Sequence, residues 1–364
     1  MKRILVVIDN LNRGGIASVV LNISEVMDKE KFKFDYITYQ EPDIDISNRL
    51  EKFNSKYFVV RRLSETSPLK YVNQIRQVIK KNGPYDVIHA HTSSFIWLAC
   101  LAAKIEKIPI RIGHAHGSKN AKKFLFSNVF YFILRYFNRK FCTEMITCAE
   151  SSGVYVFGKN YKFLPNFIDH TQYGSMNIEE KFDFMDKYNI PQNTIIFCFI
   201  GYLGGEKNPM FALELFKEIL SGNTAYYLLI AGDGPANNEI KEFIKDNHMT
   251  KNVIMFGNTN EVKEILQISN IMLMPSITEG MSIAAIEAQI SGVNCIISSG
   301  VPKTNDIKAG LFHQCETLVV NDWIYMVSEV LKKEHTKSHN EVIQALINIG
   351  YDKESVKRRL ESIY

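Results

Sequence analysis

Two carboxylates eight positions apart, Glu279 and Glu287, have the spacing in this sequence that points most directly to chemistry. Ser282 between them reads as the N-cap of a helix that Gly292 stops, so Glu279 stands just ahead of the helix and Glu287 within it. Free amides around Met281–Ala284, at the positive end of the helix dipole, then form an anion site. If the segment were helical throughout, the carboxylates would lie about 12 Å apart at 1.5 Å per residue. That exceeds the roughly 5–9.5 Å of a hydrolase pair, so each acid suits a different hydroxyl of one extended ligand. Without that setting they would be a capping and a solvated glutamate. A second anion site is read where the apolar run Ile4–Ile8 leads to Gly14-Gly15 and a helix. Paired glycines let backbone approach a phosphate there. The spacing is not Gly-x-Gly-x-x-Gly, so a nicotinamide cofactor is not indicated.

Four histidines form two His-x-His pairs at expected strand ends, His89 with His91 and His114 with His116. His89 and His114 alternate with apolar positions and are expected to be packed; His91 and His116 are the candidates to reach a ligand. No acidic or cysteine partner stands near them in the sequence, so no zinc site is expected. The six cysteines show no Cys-x-x-Cys pairing, and a reduced protein is expected.

These residues need strands and helices to hold them. Short apolar runs alternate with helical patterns along the whole length, the rhythm of parallel sheets. The 364 residues predict an α/β protein of two Rossmann-like domains, 1–168 and 169–345, with 346–364 a helical segment that could return to the first domain. The net charge of +4 divides into +12 over residues 1–168 and −8 over 169–364, which argues against a uniform nucleic-acid binder. The longest purely hydrophobic run is nine residues, Phe95–Ala103, too short to span a bilayer. Residues 119–140 carry six cations and no acid among aromatics, the composition of a helix that lies on an anionic membrane surface.

In its setting, Pro-Ser-x-x-Glu-Gly at 275–280 and Glu-Ala-Gln-x-x-Gly at 287–292, the glutamate pair resembles the EX7E signature of retaining GT-B glycosyltransferases of family four. The resemblance runs along nearly the whole chain. It takes in Gly14-Gly15, Ile-His-Ala-His at 88–91, Gly-His-Ala-His-Gly-Ser at 113–118 and Leu-Pro-Asn-x-Ile-Asp at 164–169. Gly-Tyr-Leu-Gly-Gly-Glu-Lys at 201–207, Ala-Gly-Asp-Gly-Pro at 231–235 and Phe-Gly-Asn at 256–258 complete it. Within the family the chain looks most like bacterial capsule and exopolysaccharide transferases.

The resemblance implies two domains facing each other across a cleft, with a nucleotide-diphosphate sugar, UDP by family habit, held mainly by the second. Glu279 would contact donor-sugar hydroxyls, Glu287 the ribose, and Lys207 the diphosphate. Amides of Gly280, Met281, Ser282 and Gly15 would add donors, the base would lie near Asn258, and His116 would stand beside the reacting carbon. Tyr202 stands in the donor site where the family has Arg, and Phe167 where it usually has Gly. Arg13 is a candidate to compensate, and with His91 it is placed on the acceptor side. The expected activity is metal-independent transfer, without a cofactor, to a lipid-linked saccharide acceptor at the cytoplasmic face of the plasma membrane. The alternative is a non-catalytic GT-B subunit that stabilises a partner transferase, which Tyr202 favours.

Overall fold

Runs of Val, Ile and Leu without polar alternation become strands buried on both faces, as parallel sheets require. The computed structural model describes residues 1–12, 15–92, 95–116, 127–174, 176–222, 225–333 and 337–364. The chain forms two units, Met1–Phe167 with Lys353–Tyr364, and Ile168–Asp352.

The first unit holds β1 (Lys2–Val7), β2 (Phe32–Thr38), β3 (Tyr57–Val59), β4 (Val87–Ala90), β5 (Ile110–Ala115), β6 (Glu144–Thr147) and β7 (Lys162–Phe163). Their order is β3-β2-β1-β4-β5-β6-β7, with every pairing parallel. The second unit holds β8 (Ile195–Ile200), β9 (Tyr226–Ala231), β10 (Val253–Gly257), β11 (Ile271–Met274), β12 (Asn294–Ser298) and β13 (Phe312–Cys315). Here the order is β10-β9-β8-β11-β12-β13, again parallel. Each is a Rossmann-like sheet whose order reverses once, between β1 and β4 or between β8 and β11. Ligands of open α/β sheets bind outside the carboxyl ends of the strands at such a reversal.

The segment Lys353–Tyr364 belongs to the first unit. Its helix, Lys353–Glu361, buries Val356 and Leu360, which stand four apart on one helix face. Tyr364 lies under Phe32 and Phe34, with ring centroids 5.9 and 6.0 Å away. Lys2 Nζ donates to its backbone oxygen at 2.6 Å.

The helix Ser127–Phe141 contains the described part of the basic stretch. Leu134 and Asn138 are buried in it, and Phe137 stacks on Trp97 at 4.9 Å. Val129, Phe130, Phe132 and Ile133 are all exposed. Arg135 and Arg139 donate to the carbonyls of Tyr155 and Phe157 at 3.1 and 2.7 Å. These two guanidiniums therefore cap the end of the helix Glu150–Val156, and this face is more apolar than its composition implies. Lys119, Lys122 and Lys123 lie outside the described residues.

Candidate functional site

In the second unit, β8 and β11 deliver two loops to one place. The loop after β8 carries Lys207, and the loop after β11 carries Glu279. Ile277 N donates to Glu206 O at 2.8 Å, which ties the loops together. Lys207 Nζ then pairs with Glu279 Oε1, and Ser276 Oγ donates to the same oxygen at 3.1 Å. Glu279 N is held by Gly300 O at 3.0 Å. The loop after β9 closes on the first of these: Gly232 N donates to Gly257 O at 2.8 Å, and a Cβ on Gly232, where φ is +149°, would collide with Gly201 O. The segments 232–235 and 256–258 thus meet, with Asn258 exposed at the end of β10. Tyr202 is 60% exposed, its ring lying where a Cβ on Gly204 would be.

The helix runs Ile283–Ile290, so Glu279 to Ser282 are not helical and the 12 Å separation of an ideal helix does not apply. Ser282 is the N-cap by position, but its side chain makes no capping bond. Its amide, read above as open to an anion, donates to Asn305 Oδ1 at 2.6 Å. Asn305 Nδ2 donates in turn to Gly280 O and Pro302 O at 3.0 and 2.9 Å. Gln289 Nε2 reaches Asn305 O at 2.7 Å. Met281 is buried. Glu287 accepts from the hydroxyl of Tyr173, a residue sequence reasoning missed. Burial raises the Glu287 carboxyl above its ordinary value, while the Tyr173 bond and the charge of Lys263 pull it back. Lys263 Nζ also sits 5.5 Å over the Tyr173 ring.

In the first unit the four histidines gather at the carboxyl ends of β4 and β5. His89 Nδ1 bonds Tyr364 Oη at 2.8 Å and its Nε2 meets His114 Nδ1 at 3.3 Å. His91 Nδ1 meets His116 Nε2 at 2.8 Å. Burial pushes His89 and His116 down to about 3, and His91 and His114 well below their ordinary value, with neighbouring imidazoles adding to the depression at His89, His91 and His114. His89, His91 and His114 offer nitrogens within 4.8 Å of one another. Both nitrogens of His89 are hydrogen-bonded to protein groups. Cys148, absent from the sequence reading of this cluster, brings its Sγ to 3.8 Å from His116 Nδ1. Gly15 is exposed as the first residue of the helix Gly15–Val26. Arg13 and Gly14 lie outside the described residues.

Beside the histidines is a cavity of about 620 Å³ at the ends of β1, β2 and β4, lined by Asp9, Tyr39, Arg62, Tyr71, Thr92 and Phe95 among others. Tyr39 and Tyr71 share a hydroxyl bond of 2.6 Å. Burial raises the Asp9 carboxyl, and Arg62 opposes that rise. The single Asp-x-Asp triplet of the sequence, Asp43-Ile44-Asp45, lies elsewhere. Asp43 caps the helix Ile44–Lys52 through Ile46 N, which gives it a structural task.

Residues 13–172 match the family model described as Glycosyltransferase Family 4, and residues 180–309 match Glycosyl transferases group 1. The chain belongs with the group 1 glycosyltransferases. It is 27% identical over its whole length to EpsF of Bacillus subtilis, which is named as a glycosyltransferase, covering 96% of that protein. It is also 27% identical to an Escherichia coli UDP-Gal:α-D-GlcNAc-diphosphoundecaprenol α-1,3-galactosyltransferase, over 78% of this chain and 76% of that one. The crystal structure of Anabaena HepE in complex with UDP superposes with a TM-score of 0.80 at 13% identity, covering 100% and 99% of the two chains. That likeness establishes the GT-B fold. Among the described residues of this family member, no helix is long and apolar enough to cross a membrane.

Proposed function

We propose that the protein is a retaining, metal-independent glycosyltransferase that moves a sugar from a UDP-sugar to a lipid-linked saccharide in capsule or exopolysaccharide synthesis. The observation that carries this reading is the meeting of Lys207 and Glu279 at the β8/β11 reversal, with Glu287 on the helix that follows. Breaking the bond between sugar and diphosphate develops negative charge on the leaving phosphate, and a fixed cation there lowers the barrier. Lys207 supplies that cation, Glu279 the sugar hydroxyl contacts and Glu287 the ribose contacts. Gly280, Met281 and Gly15 line the donor, Asn258 stands at the base, and His116 serves the sugar. In same-face transfer the acceptor oxygen bonds the anomeric carbon as the sugar–phosphate bond breaks, and the leaving phosphate takes the acceptor's proton. No protein nucleophile is needed.

The aromatic cavity beside Asp9 and Arg62 suits the acceptor saccharide, with His91 next in sequence to its Thr92. The E. coli relative's named substrate, a diphosphoundecaprenol-linked sugar, favours a lipid-linked acceptor. The exposed apolar face of Ser127–Phe141 then rests on the inner face of the plasma membrane. Purified protein, a panel of nucleotide sugars and lipid-linked acceptor provide the test. Transfer that survives both Lys207→Ala and Glu279→Ala would refute the site. A second reading, a non-catalytic subunit that stabilises a partner transferase, is favoured by the exposed Tyr202 in place of a cation. Calorimetry that detects no nucleotide-sugar binding would support it.

A further inference from the structure

We infer that His91 is a positioning residue for His116, and that it leaves His116 Nδ1 as the nitrogen that meets the donor sugar. The inference rests on the proposed role of His116 in transfer. The four imidazoles form two pairs with different surroundings. In the inner pair, His89 uses both nitrogens, and neither it nor His114 is exposed. In the outer pair, the 2.8 Å bond between His91 Nδ1 and His116 Nε2 joins rings 23° apart.

A neutral imidazole has one donor and one acceptor nitrogen. The bond therefore makes one ring the donor and the other the acceptor, and it couples their tautomers: whichever ring accepts carries its proton on its other nitrogen. Burial keeps both neutral, which preserves that arrangement. His91 is well placed to impose it: its amide donates to Val7 O at 2.7 Å, and its ring lies 4.1 Å from that of His89. His116, at the end of β5, is the more exposed of the two. Among the described residues its Nδ1 faces Cys148 Sγ at 3.8 Å, a thiol that also approaches Ala115 O and His116 O at 3.7 Å. A thiol is a weak hydrogen-bond partner. A sugar hydroxyl can take the thiol's place at Nδ1 at small cost, whereas freeing Nε2 would break the His91 bond.

The test compares wild type with His91→Ala, His91→Asn and His91→Gln. Asn places its amide where Nδ1 of His91 stands, and Gln reaches the Nε2 position instead. In two-bond proton–nitrogen spectra of ¹⁵N-histidine-labelled protein, His116 should show one neutral tautomer in wild type and His91→Asn. It should show a mixture in His91→Ala and His91→Gln. For sugar transfer, kcat should fall about tenfold or more in the Ala and Gln variants. The donor KM should stay within about twofold and Asn should restore most of kcat. A purely structural role would reduce folded protein without this split or this choice between Asn and Gln. An unchanged tautomer and kcat in His91→Ala, or rescue by Gln equal to that by Asn, overturns the inference while the proposed function stands. Absence of transfer by wild type from every nucleotide sugar overturns both.

Discussion

Lowering the pH from 7 to 5 should destabilise the first unit through its histidines. His89 titrates at 6.5 in the unfolded chain and at about 3 in its buried place. Because the folded value is the lower one, unfolding takes up a proton. The stabilisation is complete above pH 6.5 and is lost as pH falls from 6.5 towards 3. At about 1.36 kcal/mol per pH unit, His89 alone removes about 2 kcal/mol by pH 5 and about 4 kcal/mol by pH 3. His91, His114 and His116 move the same way, and the raised carboxyl of Asp9 opposes them. The chain's two tryptophans report the units separately, Trp97 lying in the first and Trp323 in the second. In a Trp323→Phe background, urea unfolding followed by Trp97 fluorescence should therefore show a large loss between pH 7 and pH 5. His89→Asn should make that loss smaller by about 2 kcal/mol, whatever its effect at pH 7. An equal loss in the two proteins would refute the assignment of the pH dependence to this buried ring.

Three further outcomes are expected. Tyr202→Arg adds a cation at an exposed position, so UDP affinity by calorimetry should rise only about two- to fivefold, the gain of roughly 0.5–1 kcal/mol typical of exposed pairs. A flat result would place the diphosphate elsewhere. Tyr173→Phe leaves the Glu287 carboxylate without its hydroxyl donor; it should cost about 1–3 kcal/mol in urea unfolding followed by Trp323 fluorescence and raise the Glu287 carboxyl further. Asn305→Ala strips partners from Ser282 N, Gly280 O and Pro302 O at once and should cost about 2–4 kcal/mol, with weakened UDP binding. A stable variant with wild-type affinity would show that the clamp does not shape the loop.

The elements that place the donor residues were legible because their hydrophobic runs are long and cleanly bounded. The helix Ile283–Ile290 and the strands β9, β11 and β12 fall where the apolar pattern predicts them. Edge strands were harder to read. β7 is only two residues long, and β13, Phe-His-Gln-Cys, carries too little apolar character to stand out. The partners of the site residues gave no local signal at all. Tyr173 is 114 positions from Glu287, Asn305 is 23 from Ser282, and Cys148 is 32 from His116. Such pairs are made by the sheet order, which brings strand ends together irrespective of distance along the chain. The exposed face of Ser127–Phe141 was obscured for a related reason. Nothing in the composition told that Arg135 and Arg139 would turn inward to cap a neighbouring helix.

Seating Tyr364 beneath His89, Phe32 and Phe34 has a consequence for biogenesis. Residues 353–364 leave the ribosome only after the entire second unit has been made. Until then the first sheet has an open seam over His89 and two phenylalanines, and His89 lacks its hydroxyl partner. Domains that emerge first ordinarily finish folding first. Here the unit that emerges first is completed only after the second has been made, by residues 353–364. A premature stop that spares every donor-site residue would still leave the first unit unsealed and aggregation-prone.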